Sequence, residues 1–494
     1  MMRETLRTRM GWLHGWVGFV CGLCLLCIFA TGTLTVFDTE ITLWMQPEIR
    51  VGTYTPPTET ALHEAAQMLR SQQVLGIQAF LNLPSRRSPT LQILHYNGHE
   101  FTGDVLAPRT GAVIPARETA GGKFFYDFHY TLRSAGIGGV RIVDILALAL
   151  LVAVGSGIVI HLRALLPDLV MLRLSVSPIR SWLDAHLLAG VLFLPFTIMC
   201  TYTGILVHAD RLFPWQPSIG HHHHGGGTAR PGPNLSTPHP APALLPVPPL
   251  APLLATAREN LQGRECGFIL FAPDRLSISA SDASSPYLSR DHVDFSLPDG
   301  RLLGTTINHG EIAATMQLMR GLHYARFTPP ALRWLYFISG LSATAVIATG
   351  LVLFLMKRRR KSGHLAAFRV AEGLTISTLA GLPVGVLAFL WGNRLLPPAL
   401  PGRDMWEIEV FFTVWGLCLL HGLGRSVSGH APSGWREQLG GIVVLGCGLP
   451  LLDILTAPGV WMTCPGIHAG VGAISVLAAF TALCAGRRVA GDRA

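Results

Sequence analysis

The sequence predicts an all-α membrane bundle of about eight transmembrane helices, interrupted by two small α+β insertions. Three observations predict it. Half of the 494 residues are hydrophobic and only 14% are charged, whereas a soluble domain carries about 25% charged residues. Apolar runs of bilayer-crossing length recur along the chain, and the arginines and lysines between them gather in alternate loops, on one side of the membrane. Two polar stretches break the series, and each reads as one helix followed by short strands.

Residues 1–46 hold Arg3, Arg7 and Arg9 and then a first span, predicted over about Gly11–Phe37. No small-residue cleavage site closes this run, so it reads as an uncleaved helix rather than a signal peptide. Residues 47–128 form the first polar module. Thr58–Arg70 has helical spacing through Ala61, Leu62, Ala65, Ala66 and Leu69, and Gln78–Asn82, Thr90–His95 and Phe101–Leu106 read as strands. Residues 129–209 carry two spans, about Ile137–Leu162 and Leu183–Val207.

Residues 210–252 are a linker of low complexity, with His221–His224, Gly225–Gly227 and Pro-rich sequence through Pro252. It reads as disordered or polyproline-like, solvated rather than a specific metal site. Residues 253–322 form the second module: a helix at Leu253–Leu261 and strands at Gly267–Phe271, Leu276–Ala280, His292–Leu297 and Leu302–Thr306, with an Asp299-Gly300 turn before the last. Residues 323–361 give a span over about Ala331–Met356 that stops at the basic run Lys357–Lys361. Residues 362–494 hold four further spans, about Ala371–Gly392, Glu407–Leu423, Leu439–Ala457 and Ile467–Ala485. The two modules share one order of elements, which points to a repeated unit of helix pair plus insertion.

With eight spans, the basic clusters at Arg3/Arg7/Arg9, Arg163/Arg173/Arg180, Lys357–Lys361, Arg425/Arg436 and Arg487/Arg488 fall on one face. The opposite short loops hold Arg394 and Arg403. The positive-inside rule then places both termini in the cytoplasm and both modules across the membrane. The +9 net charge is cytoplasmic anchoring on this reading. No basic patch interleaved with aromatics marks a soluble segment, so nucleic acid is excluded as a partner. The nine cysteines fall mostly inside apolar runs and make no disulfide framework. Cys21-x-x-Cys24-x-x-Cys27 has a metal-like spacing, but it lies mid-span and reads as small hydrophobes packing.

Four histidines stand at the openings of spans: His14, His129, His186 and His323. Alternating direction puts His14 and His186 at the cytoplasmic face and His129 and His323 at the other. Neutral imidazole ligates iron without adding charge to a low-dielectric site, so paired histidines from different helices suit a six-coordinate b-type haem. Two such pairs, His14 with His186 and His129 with His323, would stack two haems b across a core of about 30 Å. A ligating ring needs a second hydrogen bond to orient it, and Asp127 and Asp184, each two residues before a histidine, are candidates. Gly11, Gly15, Gly18, Gly136, Gly138, Gly139 and Gly190 fit close approach of a flat macrocycle, although small residues in membrane helices also serve helix packing. His208 competes for the outer site, since it lies twenty-two residues after His186 on a similar helix face. His161 and His364 are cytoplasmic alternatives, and His421 and His468 fall in the last four spans without an identified partner.

With these residues in hand the chain resembles the PepSY-associated transmembrane proteins, the iron-regulated membrane proteins of Gram-negative bacteria. The resemblance runs through Leu13-His14-x-Trp16-x-Gly18 with Thr31-Gly32, His129-Tyr130-x-Leu132 with Gly136, His186-x-x-x-Gly190 with Thr203-Gly204, and Leu322-His323 with Gly340 and Gly350. The tail is similar to a subgroup through Gly381-Leu382-Pro383, Asn393-Arg394-Leu395-Leu396-Pro397, Trp406-Glu407, Phe411-Phe412, Trp415 and Trp435-Arg436-Glu437-Gln438-Leu439. The soluble stretches resemble PepSY modules, and the His/Pro-rich linker departs from the family pattern. The resemblance implies a haem-containing bacterial inner-membrane reductase with periplasmic modules. Such a protein reduces ferric siderophore and so helps release iron as Fe(II).

A second reading, from another class, is a non-redox transporter or a PepSY-mediated anchoring or regulatory protein. It would need a proton or ion route, for which Asp144 and Asp453 are the main buried acids. No Gly-rich dinucleotide fingerprint opens a cytoplasmic helix. The electron donor implied is therefore quinol or a separate cytoplasmic reductase.

Overall fold

The computed structural model describes residues 6–50, 52, 54–75, 77–96, 101–134, 137–161, 173, 177–208, 246–272, 274–308 and 310–491. Arg3, Gly136, Arg163 and the His221–His224 tract lie outside the described residues. In chain order the elements are α1 (Leu6–Val20), α2 (Gly22–Thr35), α3 (Asp38–Met45), α4 (Glu59–Val74), β1 (Ala79–Asn82), β2 (Leu91–Tyr96), β3 (Phe101–Leu106), α5 (Lys123–Thr131) and α6 (Ile137–His161). There follow α7 (Pro178–Leu192), α8 (Leu194–Val207), α9 (Leu250–Asn260), β4 (Cys266–Phe271), β5 (Arg275–Ala280), β6 (His292–Ser296), β7 (Leu302–Thr306), α10 (Glu311–Tyr324) and α11 (Pro330–Ser362). The tail holds α12 (Ala366–Ile376), a π-helical turn (Ser377–Gly381), α13 (Leu382–Leu395), α14 (Arg403–Val427), α15 (Ala431–Thr456), α16 (Val460–Thr463) and α17 (Pro465–Gly491). Two compact units result. One is Met1–Pro47 with Arg117–His208 and Pro330–Ala494, and the other is Glu48–Ala116 with Ala209–Pro329.

The first unit is a multi-pass membrane bundle. Among the described residues six helices are long and apolar enough to cross a bilayer, or up to eight if each of two bent pairs is one span. The bent pairs are α1 with α2, at 61°, and α7 with α8, at 64°. The sequence pattern predicts straight helices in both places. At the second break Pro195 stands in the first turn of α8, where it has no N–H to donate back across Phe193. At the first, Gly22 lets α2 approach α11 closely, since a Cβ there would lie 3.1 Å from Leu351 Cδ2. The predicted Ala371–Gly392 span is α12 and α13 joined through the π turn. There Trp415 Nε1 donates to the Ser377 carbonyl at 3.1 Å, which satisfies a backbone group the wider turn leaves over.

The second unit departs from the expectation of two separate modules. All seven strands belong to one antiparallel sheet, in the order β3-β2-β1-β4-β5-β6-β7. The junction is β1 against β4, with Phe80 opposite Leu270, Leu81 opposite Ile269 and Asn82 opposite Phe268. Leu81 and Ile269 are fully buried, and they join Leu62, Leu69, Leu253, Phe271 and Phe295 in a single core drawn from both stretches. Each half brings a helix to this core, α4 from the first and α9 from the second. Apolar Ala61, Leu62, Ala65, Ala66 and Leu69 line one face of α4, and Thr58 caps its start by accepting from the Ala61 N–H. A half-sheet of three or four strands would leave β1 or β4 with an unpaired edge, and joining the two removes both edges at once.

Candidate histidine site

Three of the predicted histidines lie in the membrane bundle, not at helix openings as expected but mid-helix (His14, His186) or in a last turn (His129), and they share one local arrangement. His14 on α1 donates its Nδ1–H to the Ala153 carbonyl of α6 at 2.8 Å. His186 on α7 donates to the Val346 carbonyl of α11 at 2.9 Å. His129 on α5 donates to the Ile28 carbonyl of α2 at 2.8 Å. Four residues beyond each carbonyl stands a glycine under the ring. A Cβ would lie 3.1 Å from His14 Cε1 at Gly157, 3.2 Å from His186 Cε1 at Gly350, and 2.6 Å from His129 Nδ1 at Gly32. One residue before each glycine a hydroxyl folds back on the same carbonyl: Ser156 on Ala153 at 3.0 Å, Thr349 on Val346 at 3.0 Å and Thr31 on Ile28 at 3.2 Å. The seat is thus a helix carbonyl, a Ser or Thr three residues on and a Gly four residues on, all on one helix face.

This seat fixes the chemistry of the ring. A carbonyl only accepts, so Nδ1 carries the proton, and in His14 and His186 the Nε2 lone pair of the neutral imidazole is left to coordinate or accept. The His14 and His186 rings lie edge to face, with centres 6.1 Å apart and planes at 74°. The two rings are thus neighbours in space, carried by α1 and α7 with α6 and α11 as their supports.

His129 has a second imidazole for a neighbour. His208, which follows α8, packs its ring on Tyr130 at 4.7 Å, edge to face. His208 is 4% exposed and donates Nδ1–H to Asp144 Oδ1 at 2.7 Å, and its Nε2 is buried with no hydrogen-bond partner. It differs from the other three in taking a carboxylate where they take a helix carbonyl. His323 lies near the end of α10, within the second unit, where Gly321 of the same helix approaches the Pro286 carbonyl too closely for any side chain.

The two carboxylates expected to orient histidines do something else. Asp127 pairs with Lys123 at 2.5 Å and Arg133 at 3.7 Å. Asp184 pairs with Arg173 at 2.9 Å and Arg180 at 3.0 Å. A residue two positions before a histidine lies on the far side of the helix, so it cannot serve that ring. The glycines divide as well. Gly11, Gly15, Gly18 and Gly138 face open space, Gly139 packs on the Thr131 carbonyl, and Gly190 packs on Val346. Neither group forms the seats. Those belong to Ser156-Gly157, Thr31-Gly32 and Thr349-Gly350, and the sequence signal for them is a hydroxyl-glycine step within an apolar run. Thr203-Gly204 on α8 repeats it, with Thr203 Oγ1 donating to the Met199 and Cys200 carbonyls at 2.7 and 3.3 Å.

Residues 11–357 match the PepSY-associated TM region, a stretch that contains every histidine seat and both polar insertions. The chain belongs to the PepSY-associated transmembrane family. No curated protein matches it closely enough to count as a relative. The PepSY-associated region ends at the basic close of α11, so α12–α17 lie beyond it.

In these last helices the structure reveals polar groups that the sequence left without partners. Asp453 of α15 accepts from Arg394 Nη2 at 2.7 Å and from His468 Nδ1 at 2.8 Å, with all three buried. Arg394 also stacks on Trp44 of α3, 4.0 Å from its ring. His421 pairs with Glu437 at 2.7 Å. Arg403 and Glu407 of α14 form a fully buried ion pair.

Proposed function

We propose that this membrane protein carries electrons through haem and delivers them to ferric siderophore, releasing iron as Fe(II). The observation that carries the reading is the His14–His186 pair, with each Nδ1 held by a helix carbonyl and each Nε2 left as a lone pair. With ring centres 6.1 Å apart, the two imidazoles are close enough that both would hold one haem iron. Open space beside Gly11, Gly15 and Gly18 fits a flat group next to His14.

His14 and His186 would hold one haem b. His129 would hold a second, with His323 as the partner the sequence pattern assigns and His208 as the alternative. Haem bound by two histidines exchanges single electrons without changing its ligands. The protein's own part is to fix the tautomer and angle of each ring through the carbonyl seats, and to keep the rings neutral in a water-poor bundle. Siderophores hold Fe(III) far more tightly than Fe(II), so one electron loosens the iron.

Arg7, Arg9, Arg173, Arg180 and Lys357–Lys361 favour cytoplasmic termini and a bacterial inner membrane, with the sheet-bearing unit periplasmic. Quinol or a cytoplasmic reductase would supply the electron. The non-redox transporter reading needs a proton or ion route, for which Asp144 and Asp453, each paired with a histidine, are the buried acids.

The test is a reduced-minus-oxidised spectrum with haem quantification on the purified full chain and on His14→Ala, His186→Ala, His129→Ala, His323→Ala and His208→Ala. The reading expects b-type bands that fall in the variants of one pair together. Absence of b-type bands in haem-replete protein overturns it. Siderophore or iron uptake into vesicles without an electron donor favours the transporter.

A further inference from the structure

We propose that the helices beyond the PepSY-associated region position His129. The Glu407 carboxylate and an aromatic wall on α13 and α14 hold α5 at the place where its imidazole reaches the Ile28 carbonyl. The inference rests on the haem reading for its consequence, though not for its geometry.

α5 has nine residues, too few to be stable alone. It ends at Leu132 and Arg133, both with positive φ, at 52° and 56°. Its place must come from its surroundings: its backbone packs mainly on α2, α6 and α3, and α13 and α14 add polar and aromatic side-chain contacts. Glu407, fully buried, accepts from the Thr119 hydroxyl at 2.7 Å and from the Ala120 N–H at 3.0 Å, just ahead of α5. The same carboxylate is held from its own side by Arg403 and by Asn393 Nδ2 at 2.7 Å. Arg403 reaches on to the Glu118 carbonyl at 3.0 Å, and Arg117 donates to the Asn393 carbonyl at 3.1 Å. The strand of chain entering α5 is thus gripped at Arg117, Glu118, Thr119 and Ala120 by two helices.

The grip continues along the helix. Phe124 stacks on Phe389 at 4.8 Å and meets Phe411 edge-on at 4.9 Å. Phe128, the residue before His129, meets Phe411, Phe412 and Trp415, each at 6.0 Å. Between these contacts Gly122 sits so close to α3 that a Cβ would lie 2.1 Å from the Asp38 carbonyl oxygen, so the segment has no slack there. His129 then makes a 2.8 Å bond across to α2. A slide of α5 by one ångström would break it. The buried ion pair is a costly feature for a bundle that needs only packing. A role in fixing one register of α5 accounts for it.

The experiment compares Glu407→Ala, Glu407→Gln and Thr119→Val in the full chain with Gln438→Leu, a buried change away from α5. Hydrogen exchange of residues 120–131, measured without haem, should speed by about tenfold or more in Glu407→Ala, less in Glu407→Gln, and not at all in Gln438→Leu. In haem-loaded protein the redox and electron-resonance signal that His129→Ala removes should shift in Glu407→Ala and recover partly in Glu407→Gln. The signal that His14→Ala removes should stay. Unchanged exchange in Glu407→Ala and Thr119→Val overturns the positioning role whatever the haem content. Equal movement of both haem signals overturns it as well. If the wild type binds no haem, the haem reading fails and the exchange arm alone decides the positioning.

Discussion

The imidazoles of His14 and His186 meet edge to face with their centres 6.1 Å apart, although they come from α1 and α7. Two rings that share one metal act as a unit, so their removals should not add. His14→Ala, His186→Ala and the double variant should lose the same haem to the same extent, measured by pyridine haemochrome and by the low-temperature α-band. Independent, additive losses would mean that the rings serve different ligands.

The three seats differ in how much room they leave. At Gly32 a Cβ would lie 2.6 Å from His129 Nδ1 and 2.7 Å from its Cε1, which no side chain tolerates. At Gly157 and Gly350 the nearest ring atom is at 3.1 and 3.2 Å, which a small shift relieves. Gly32→Ala should therefore weaken the haem binding proposed at His129 by roughly 10–100-fold, as loss of an orienting partner does, and Gly157→Ala and Gly350→Ala should do less at theirs. Haem titration of the apoprotein reads the order directly, and an equal effect at all three glycines would contradict it.

Arg394 and Asp453 form a buried pair that His468 completes. Removing one member leaves a charge without its partner. Asp453→Asn or Arg394→Met alone should cost about 3–5 kcal/mol, whereas the double change to apolar residues of similar volume should cost far less. Thermal unfolding in one detergent shows which holds. Additive losses in the double variant would show that the two groups are stabilised separately.

Cys266 opens β4 with its thiol turned to the Leu254 carbonyl at 3.7 Å. Burial pushes its pKa up to about 11. At pH 8 only about one thiol in a thousand is then ionised, against roughly one in four for an unperturbed cysteine. Alkylation of the Cys266 peptide, followed by mass spectrometry, should be more than a hundredfold slower than for a model thiol at pH 8. It should rise about tenfold per pH unit until near 11. Labelling at the model rate at pH 8 would show that the thiol is open to water.

The spans were legible because each is a long run of apolar residues; α6 begins and ends within one residue of its predicted limits, whereas α11 runs on through the basic run at which the predicted span stopped. The bends were not, because a run that crosses a break at Cys21 or Phe193 keeps its composition, although Pro195 was a signal in plain view. The helices α5 and α10 were missed because each is short and lies at the edge of a polar stretch, outside the long apolar runs. The strands were readable one by one, but the pairing of Phe80 with Leu270 links distant stretches of chain, which no local pattern encodes. At the site, the residue types before the apolar runs drew attention to His14, His129 and His186, which the structure seats on helix carbonyls. Their supports were hidden, because a backbone carbonyl has no letter in the sequence. What marks each seat is the quieter step of Ser156-Gly157, Thr31-Gly32 or Thr349-Gly350.

The single sheet has a consequence for biogenesis. β1 and β4 are neighbours in the finished sheet, but three apolar helices, α6, α7 and α8, are made between them. At 5–20 residues per second, a ribosome needs roughly 10–40 s to pass from one strand to the other. For that interval β1 offers a bare edge while the intervening helices enter the bilayer. The newborn chain must therefore be shielded there, by a chaperone or by its own unfinished neighbours, until translation delivers β4 to close it.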